Sequence, residues 1–156
     1  MFRKVMVVND DEISLLVSSK MIGKTGFAGE VITAGNGLKA LQVFDSFLLN
    51  SKGPLDVPEL VFLDLHMPVM DGWEFMEIFA EKYAYIFPSV RFVILSSSID
   101  PDDIQKLKRF SVVIELIRNP LSFEILTKLK EKFAQIDFHF PPIGQLAGEQ
   151  GRQMIA

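Results

Sequence analysis

Five short apolar runs, each followed by a longer segment with apolar residues at helical spacing, set the tightest limit on what this chain can fold into. Val5-Met6-Val7-Val8 is the first, Leu60-Val61-Phe62-Leu63 the third and Phe92-Val93-Ile94-Leu95 the fourth. Runs of four are too short for helices. They also lack the polar alternation of a half-exposed strand, so they suit strands covered on both faces. The second and fifth strands are expected over residues 30–34 and 111–117.

The segments between them have helical periodicity. Ile13, Leu16, Val17, Lys20 and Met21 mark a first helix over residues 12–24. Leu38, Leu41, Phe44, Phe47 and Leu48 mark a second, after the turn Gly35-Asn36-Gly37. Trp73, Met76, Ile78, Phe79 and Tyr83 mark a third. Asp100-Pro101-Asp102-Asp103 is a helix start, with a capping acid, proline at the first helical position and two more acids at the positive end. A fifth helix is expected over residues 122–136. Five βα units in a row imply a parallel sheet with helices on both faces, joined by right-handed crossovers.

At 156 residues, 49% apolar and 23% charged, the chain suits one domain with a full core. A net charge of −4 without a basic run argues against nucleic acid as a partner. The lack of cysteine removes disulfides, thiol nucleophiles and Cys-bound zinc. The apolar stretch near the N-terminus is too short for a signal peptide, and no segment has membrane-spanning length, which fits a cytoplasmic location. From Asp137 the pattern stops. The expected division is a domain over 1–136 and a C-terminal extension over 137–156, without an output domain.

In a sheet of this kind functional residues collect beyond the carboxyl ends of the strands. There the chain places Asn9-Asp10-Asp11, Asp64, Ser96-Ser97-Ser98 and Arg118-Asn119-Pro120. Capping accounts for one of these acids, not the whole set.

The pieces VMVVNDDE, FLDLHMPVMDG, VILSSS and RNPLS, in this order and spacing, closely resemble the receiver domain of two-component response regulators over residues 3–135. The resemblance implies a flavodoxin-like three-layer αβα sandwich, its parallel sheet in the order 2-1-3-4-5. It implies that Asp64 accepts a phosphoryl group from a phosphohistidine. Asp10 and Asp64, with the backbone carbonyl of His66, would hold Mg²⁺, and Ser96 would contact the phosphoryl group, with Ser97 as the alternative one residue on. The His66 side chain and Ser98 fall at positions that tune access of water. Such chemistry suits these residue types, because Mg²⁺ takes hard oxygen ligands and phosphoryl transfer needs placement and charge more than covalent help. Pro68 stiffens the loop after the acceptor and restricts Met67 to extended backbone.

Three positions depart from the family pattern. Asn9 stands where the first of two acids is usual, unless the pair is Asp10 and Asp11. Asn119 stands where lysine is usual, and alternation turns its neighbour Arg118 to the other face unless a bulge intervenes. Two acids without the lysine leave the same formal −2 as three acids with it. Leu116 stands where an aromatic ring is usual. The expected function is a single-domain response regulator, not a turnover enzyme. Its partners would be a sensor histidine kinase or histidine phosphotransfer protein, and a downstream protein meeting the helix 4–strand 5–helix 5 face. The alternatives are a pseudo-receiver that binds without phosphorylation, marked by Asn9, Asn119 and Leu116, and a haloacid dehalogenase-type phosphatase. The phosphatase family wants a second aspartate where this chain has His66.

Overall fold

A computed structural model describes residues 1–50 and 56–135. Its elements follow in strict alternation: β1 (Phe2–Val8), α1 (Glu12–Lys24), β2 (Ala28–Ala34), α2 (Gly37–Asn50), β3 (Leu60–Asp64), α3 (Gly72–Ile78), β4 (Arg91–Ser96), α4 (Pro101–Leu107), β5 (Val113–Arg118) and α5 (Phe123–Gln135). The strands form one parallel sheet in the order β2-β1-β3-β4-β5. This is the flavodoxin-like arrangement expected from the sequence.

Burial explains why the three central strands are solid apolar runs. Every residue of β3 is buried, as are Val5 to Val8 of β1 and Phe92 to Ser96 of β4. Successive side chains enter different cores. Met6, Val8, Val61, Leu63 and Ile94 join α2, α3 and Leu107 of α4 on one face. Val5, Val7, Leu60, Phe62, Val93 and Leu95 meet Ile22 of α1 and Leu126, Leu129 and Phe133 of α5 on the other. The edge strands β2 and β5 are only half-buried, which suits their polar residues.

Several boundaries differ from the sequence expectation. β1 and β2 begin earlier, at Phe2 and Ala28. β5 begins at Val113, not residue 111, because a turn closed by the Val113 N–H on Phe110 O takes up residues 111–112, and its register then slips against β4. Phe92 pairs with Val113 and Val93 with Glu115, leaving Ile114 as the extra residue of a bulge. The third helix continues after Ile78 as a π-helical turn, Phe79–Tyr83. That turn stacks Phe79 and Tyr83 in the Phe44–Phe75–Phe92 aromatic cluster and carries the Tyr83 hydroxyl 2.5 Å from Asp45 Oδ1. Across α3 and α4, Lys106 Nζ sits 4.1 Å from the ring centre of Trp73.

The inner face of α1 is not its most apolar one. Its buried residues are Ser18 and Ile22, whereas Ile13, Leu16 and Val17 face solvent. The apolar period identified the helix, and the fold decided which face the sheet covers. The polar stretch 51–55 and the extension from residue 136 onward lie outside the described residues.

Candidate functional site

Asp64 closes β3, and the packing around it explains both its place and its chemistry. It follows four buried residues and is itself only 8% exposed. Its Oδ1 accepts the N–H of His66 at 3.0 Å. Burial raises the carboxyl above the ordinary aspartate range; the His66 N–H opposes this, and the nearby charge of Asp10 adds to it. A carboxylate held under an uncancelled negative neighbour is poised to meet a cation.

Strand register brings the other residues to the same edge. Val8 pairs with Leu63, so Asn9 falls level with Asp64 and Asp10 one step beyond. Asn9 is buried and accepts the Asp11 N–H through Oδ1 at 2.9 Å, while Asp10 is exposed. Asp11 caps α1. It accepts from the backbone of Ile13 and Ser14 and from the Ser14 hydroxyl, whose bond holds the Asp11 carboxyl below the usual range. Asp11 is thus committed to capping, and it is the charge of Asp10 that acts on Asp64.

The loop from Leu65 to Asp71 is fixed at both ends. Asp71 opens α3 with a capping box: its carboxylate accepts the Glu74 N–H and the Glu74 carboxylate accepts the Asp71 N–H. The Gly72 N–H donates to Leu65 O at 3.0 Å, and a Cβ on Gly72 would lie 2.5 Å from Asp64 O. Only glycine permits this approach of α3 to β3. The exposed His66 follows Asp64, and Pro68 precedes Val69, which has φ 72° and is 77% exposed. That Gly72 touches the Asp64 backbone is not legible in the sequence. The only available signal was glycine at the first helical position, where packing does not normally require it.

On the far side, Ser96 is fully buried and its hydroxyl donates to Ser98 O at 2.5 Å. Ser97 and Ser98 are exposed. The Asn119 N–H donates to Ser96 O at 2.9 Å, which ties the end of β5 to the hydroxyl-bearing strand. Pairing is regular from Val93–Glu115 to Ser96–Arg118, so the bulge at Ile114 lies too far upstream to turn Arg118 toward Asn119's side. Arg118 is exposed, and Leu116 packs into the core beside α4. The structure therefore gathers Asn9, Asp10, Asp64, Ser96 and Asn119 at one edge and leaves the Arg118 side chain outside the set.

Among the described residues no three acids or histidines cluster as a metal cage. Two carboxylates and a nearby loop carbonyl are nonetheless the kind of sparse oxygen set that Mg²⁺ accepts, since it keeps several waters. Around this edge each βα corner exposes one large apolar residue: Ile13, Leu38, Val69, Ile99 and Phe123. No helix among the described residues is long and apolar enough to cross a membrane.

Comparison with known proteins gives a consistent result. The family model of the response regulator receiver domain matches residues 5–128. A probable methanogenesis regulatory protein, FilR2, from Methanothrix harundinacea is 28% identical over 131 residues, covering 84% of this chain and 81% of its own length. The sporulation initiation phosphotransferase F of Bacillus subtilis is 26% identical over 113 residues, covering 72% and 79%. Among solved structures, a two-component response regulator from Cytophaga hutchinsonii superposes with a TM-score of 0.74 at 23% identity, covering 86% of this chain and 98% of that one. The chemotaxis protein CheY4 of Vibrio cholerae gives 0.66 at 23% identity, with coverage of 85% and 98%.

Proposed function

The chain belongs to the response regulator receiver domain family, and from that premise we propose that it accepts a phosphoryl group on Asp64 from a phosphohistidine, with Mg²⁺, and signals by protein contact. The observation that carries this reading is the buried Asp64 at the carboxyl edge of the central strand, with Asp10 close enough to raise its proton affinity. Residues 1–136 form the unit that performs the transfer.

Asp10, Asp64 and the His66 carbonyl would hold Mg²⁺, which supplies positive charge for the transferring phosphoryl oxygens. The rest falls to the chain. A carboxylate oxygen of Asp64 forms a bond to phosphorus as the bond from phosphorus to the donor imidazole nitrogen breaks, giving an acyl phosphate. The His66 N–H orients the Asp64 carboxylate, and Asn9 holds the backbone after Asp10 through the Asp11 N–H. The Ser96 hydroxyl leaves Ser98 O and donates to the phosphoryl group. Freed, Ser98 shifts the segment that leads into α4, which couples the chemistry to the α4–β5–α5 surface. Asn119 offers a neutral amide where the family usually has an ammonium.

The exposed apolar residues at the five corners support a macromolecular donor. Ile13 begins a solvent-facing stripe with Leu16 and Val17 that runs down α1 from the Asp10 side of the site. A histidine kinase or phosphotransfer protein docking there would bury this stripe while presenting its phosphohistidine to Asp64.

Intact mass after incubation with acetyl phosphate and Mg²⁺ tests the reading. An adduct that needs both Mg²⁺ and Asp64, absent from Asp64→Ala, supports it. No adduct with acetyl phosphate or with a panel of phosphohistidine donors would instead favour a binding module that has kept the fold and lost the reaction. Asn119 and Leu116 are the residues that point toward that outcome.

A further inference from the structure

The β3–α3 loop is held from a corner of the fold that contributes no site residue. We infer that Gly37, the first residue of α2, is a positioning residue for the loop after the acceptor aspartate, an inference that rests on the roles given above to Asp64 and His66. The first amides of a helix have no partner within it. Here the Asn36 side chain accepts the Lys39 N–H at 2.8 Å, and the Gly37 N–H is sent across to Met70 O at 3.1 Å.

That contact depends on the missing side chain. A Cβ on Gly37 would stand 2.8 Å from Met70 Cγ and 2.9 Å from Met70 O. The backbone at Gly37 is not left-handed. Glycine is required there for space alone, and alanine would otherwise suit the start of a helix better.

The same anchor accounts for Val69. A β-branched residue at φ 72° is strained, and at 77% exposure Val69 has no packing of its own to hold it there. It is held between anchors: Met70 N–H donates to Pro68 O at 3.0 Å, Met70 O is taken by Gly37, and Gly72 N–H closes on Leu65 O. Without the Gly37 anchor the Pro68–Val69–Met70 turn opens toward ordinary backbone angles. The segment bearing His66 then loses its fixed relation to Asp64. The β2–α2 corner thus sets metal affinity without touching the metal, and any movement of α2 reaches the acceptor loop by this route.

The test joins hydrogen exchange to calorimetry on the full chain. In the unmodified protein the amides of Gly37, Met70 and Gly72 should exchange as one unit, distinct from Ala40 within α2. Gly37→Ala should lower the melting temperature, speed exchange at Met70 and Gly72 more than at Ala40, and weaken Mg²⁺ binding by about tenfold, as loss of an outer-shell support does. Adding Met70→Ala should restore part of that affinity by making room for the new methyl group. Unchanged loop exchange and Mg²⁺ affinity in a folded Gly37→Ala protein would overturn the inference. If that variant does not fold, exchange in the unmodified chain decides: a Gly37 amide that follows Ala40 overturns it. If the unmodified chain takes no Mg²⁺, the proposed metal role fails, and loop exchange alone judges the anchor.

Discussion

The site divides into two halves that differ in how firmly the fold holds them. On the β1–β3 side Asp64 emerges from a wholly buried strand, and its loop is fastened by Gly72 and the Asp71–Glu74 box. On the β4–β5 side one partner is a half-buried edge strand with a bulge, and the one buried hydroxyl is occupied by Ser98 O. The departures from the usual lysine and aromatic ring, Asn119 and Leu116, both fall on this looser side. In the proposed transfer, rigid placement would serve Asp64, which would have to meet phosphorus in line. The edge strand is only partly buried, and a segment proposed to shift on phosphoryl transfer would be better built there.

Substitutions can break or sharpen this contrast. The largest effect is expected from Asp64→Ala, which should abolish the phosphoryl adduct in the mass spectrum while leaving the far half intact. Gly72→Ala should cost about 1–3 kcal/mol of stability through overpacking against Asp64 O and Leu65, measured by urea unfolding; a neutral result would mean that the firm half is softer than its packing implies. Asn119→Lys should speed phosphoryl uptake from acetyl phosphate by about tenfold, roughly 1.4 kcal/mol of barrier, with little change in stability. An unchanged rate would show the neutral amide to be sufficient. Ser96→Ala should cost about 1 kcal/mol for one lost hydrogen bond and weaken the coupling to α4 more than the transfer itself.

Acidity offers a finer comparison between the halves. The raised Asp64 carboxyl means that the folded state binds a proton more readily than the unfolded chain does. Without metal, stability from this group is therefore fully present below its unfolded value of about 3.8 and is lost as pH rises through the higher folded value. Asp64→Asn should be more stable than the unmodified chain at neutral pH, and the gap should close as the solution is acidified through that window. Thermal melts across pH would reveal it.

Much of the firm half was legible because its physics is local. A solid apolar run ending on aspartate marks a buried strand with a carboxylate at its edge, and Asp11 needed only its place before a helix to become a cap. The rest is decided in three dimensions. Ile13, Leu16 and Val17 have helical spacing, but spacing does not reveal which face a sheet covers, and Ser18 took the inner position. The π-helical turn at Phe79–Tyr83 follows from the demand of Tyr83 for both the aromatic cluster and Asp45, a contact distant in sequence. The hydrogen bonds of Gly37 to Met70 and of Gly72 to Leu65 likewise join residues whose proximity no local pattern encodes.

The contact between Lys106 and Trp73 gives the molecule an optical readout. Trp73 is the chain's only tryptophan, one residue beyond Gly72, and the ammonium over its ring comes from α4. An indole's emission responds to a charge held against its π face. Excited at wavelengths that the two tyrosines do not absorb, the unlabelled protein should therefore report the position of α4 relative to the β3–α3 loop in real time.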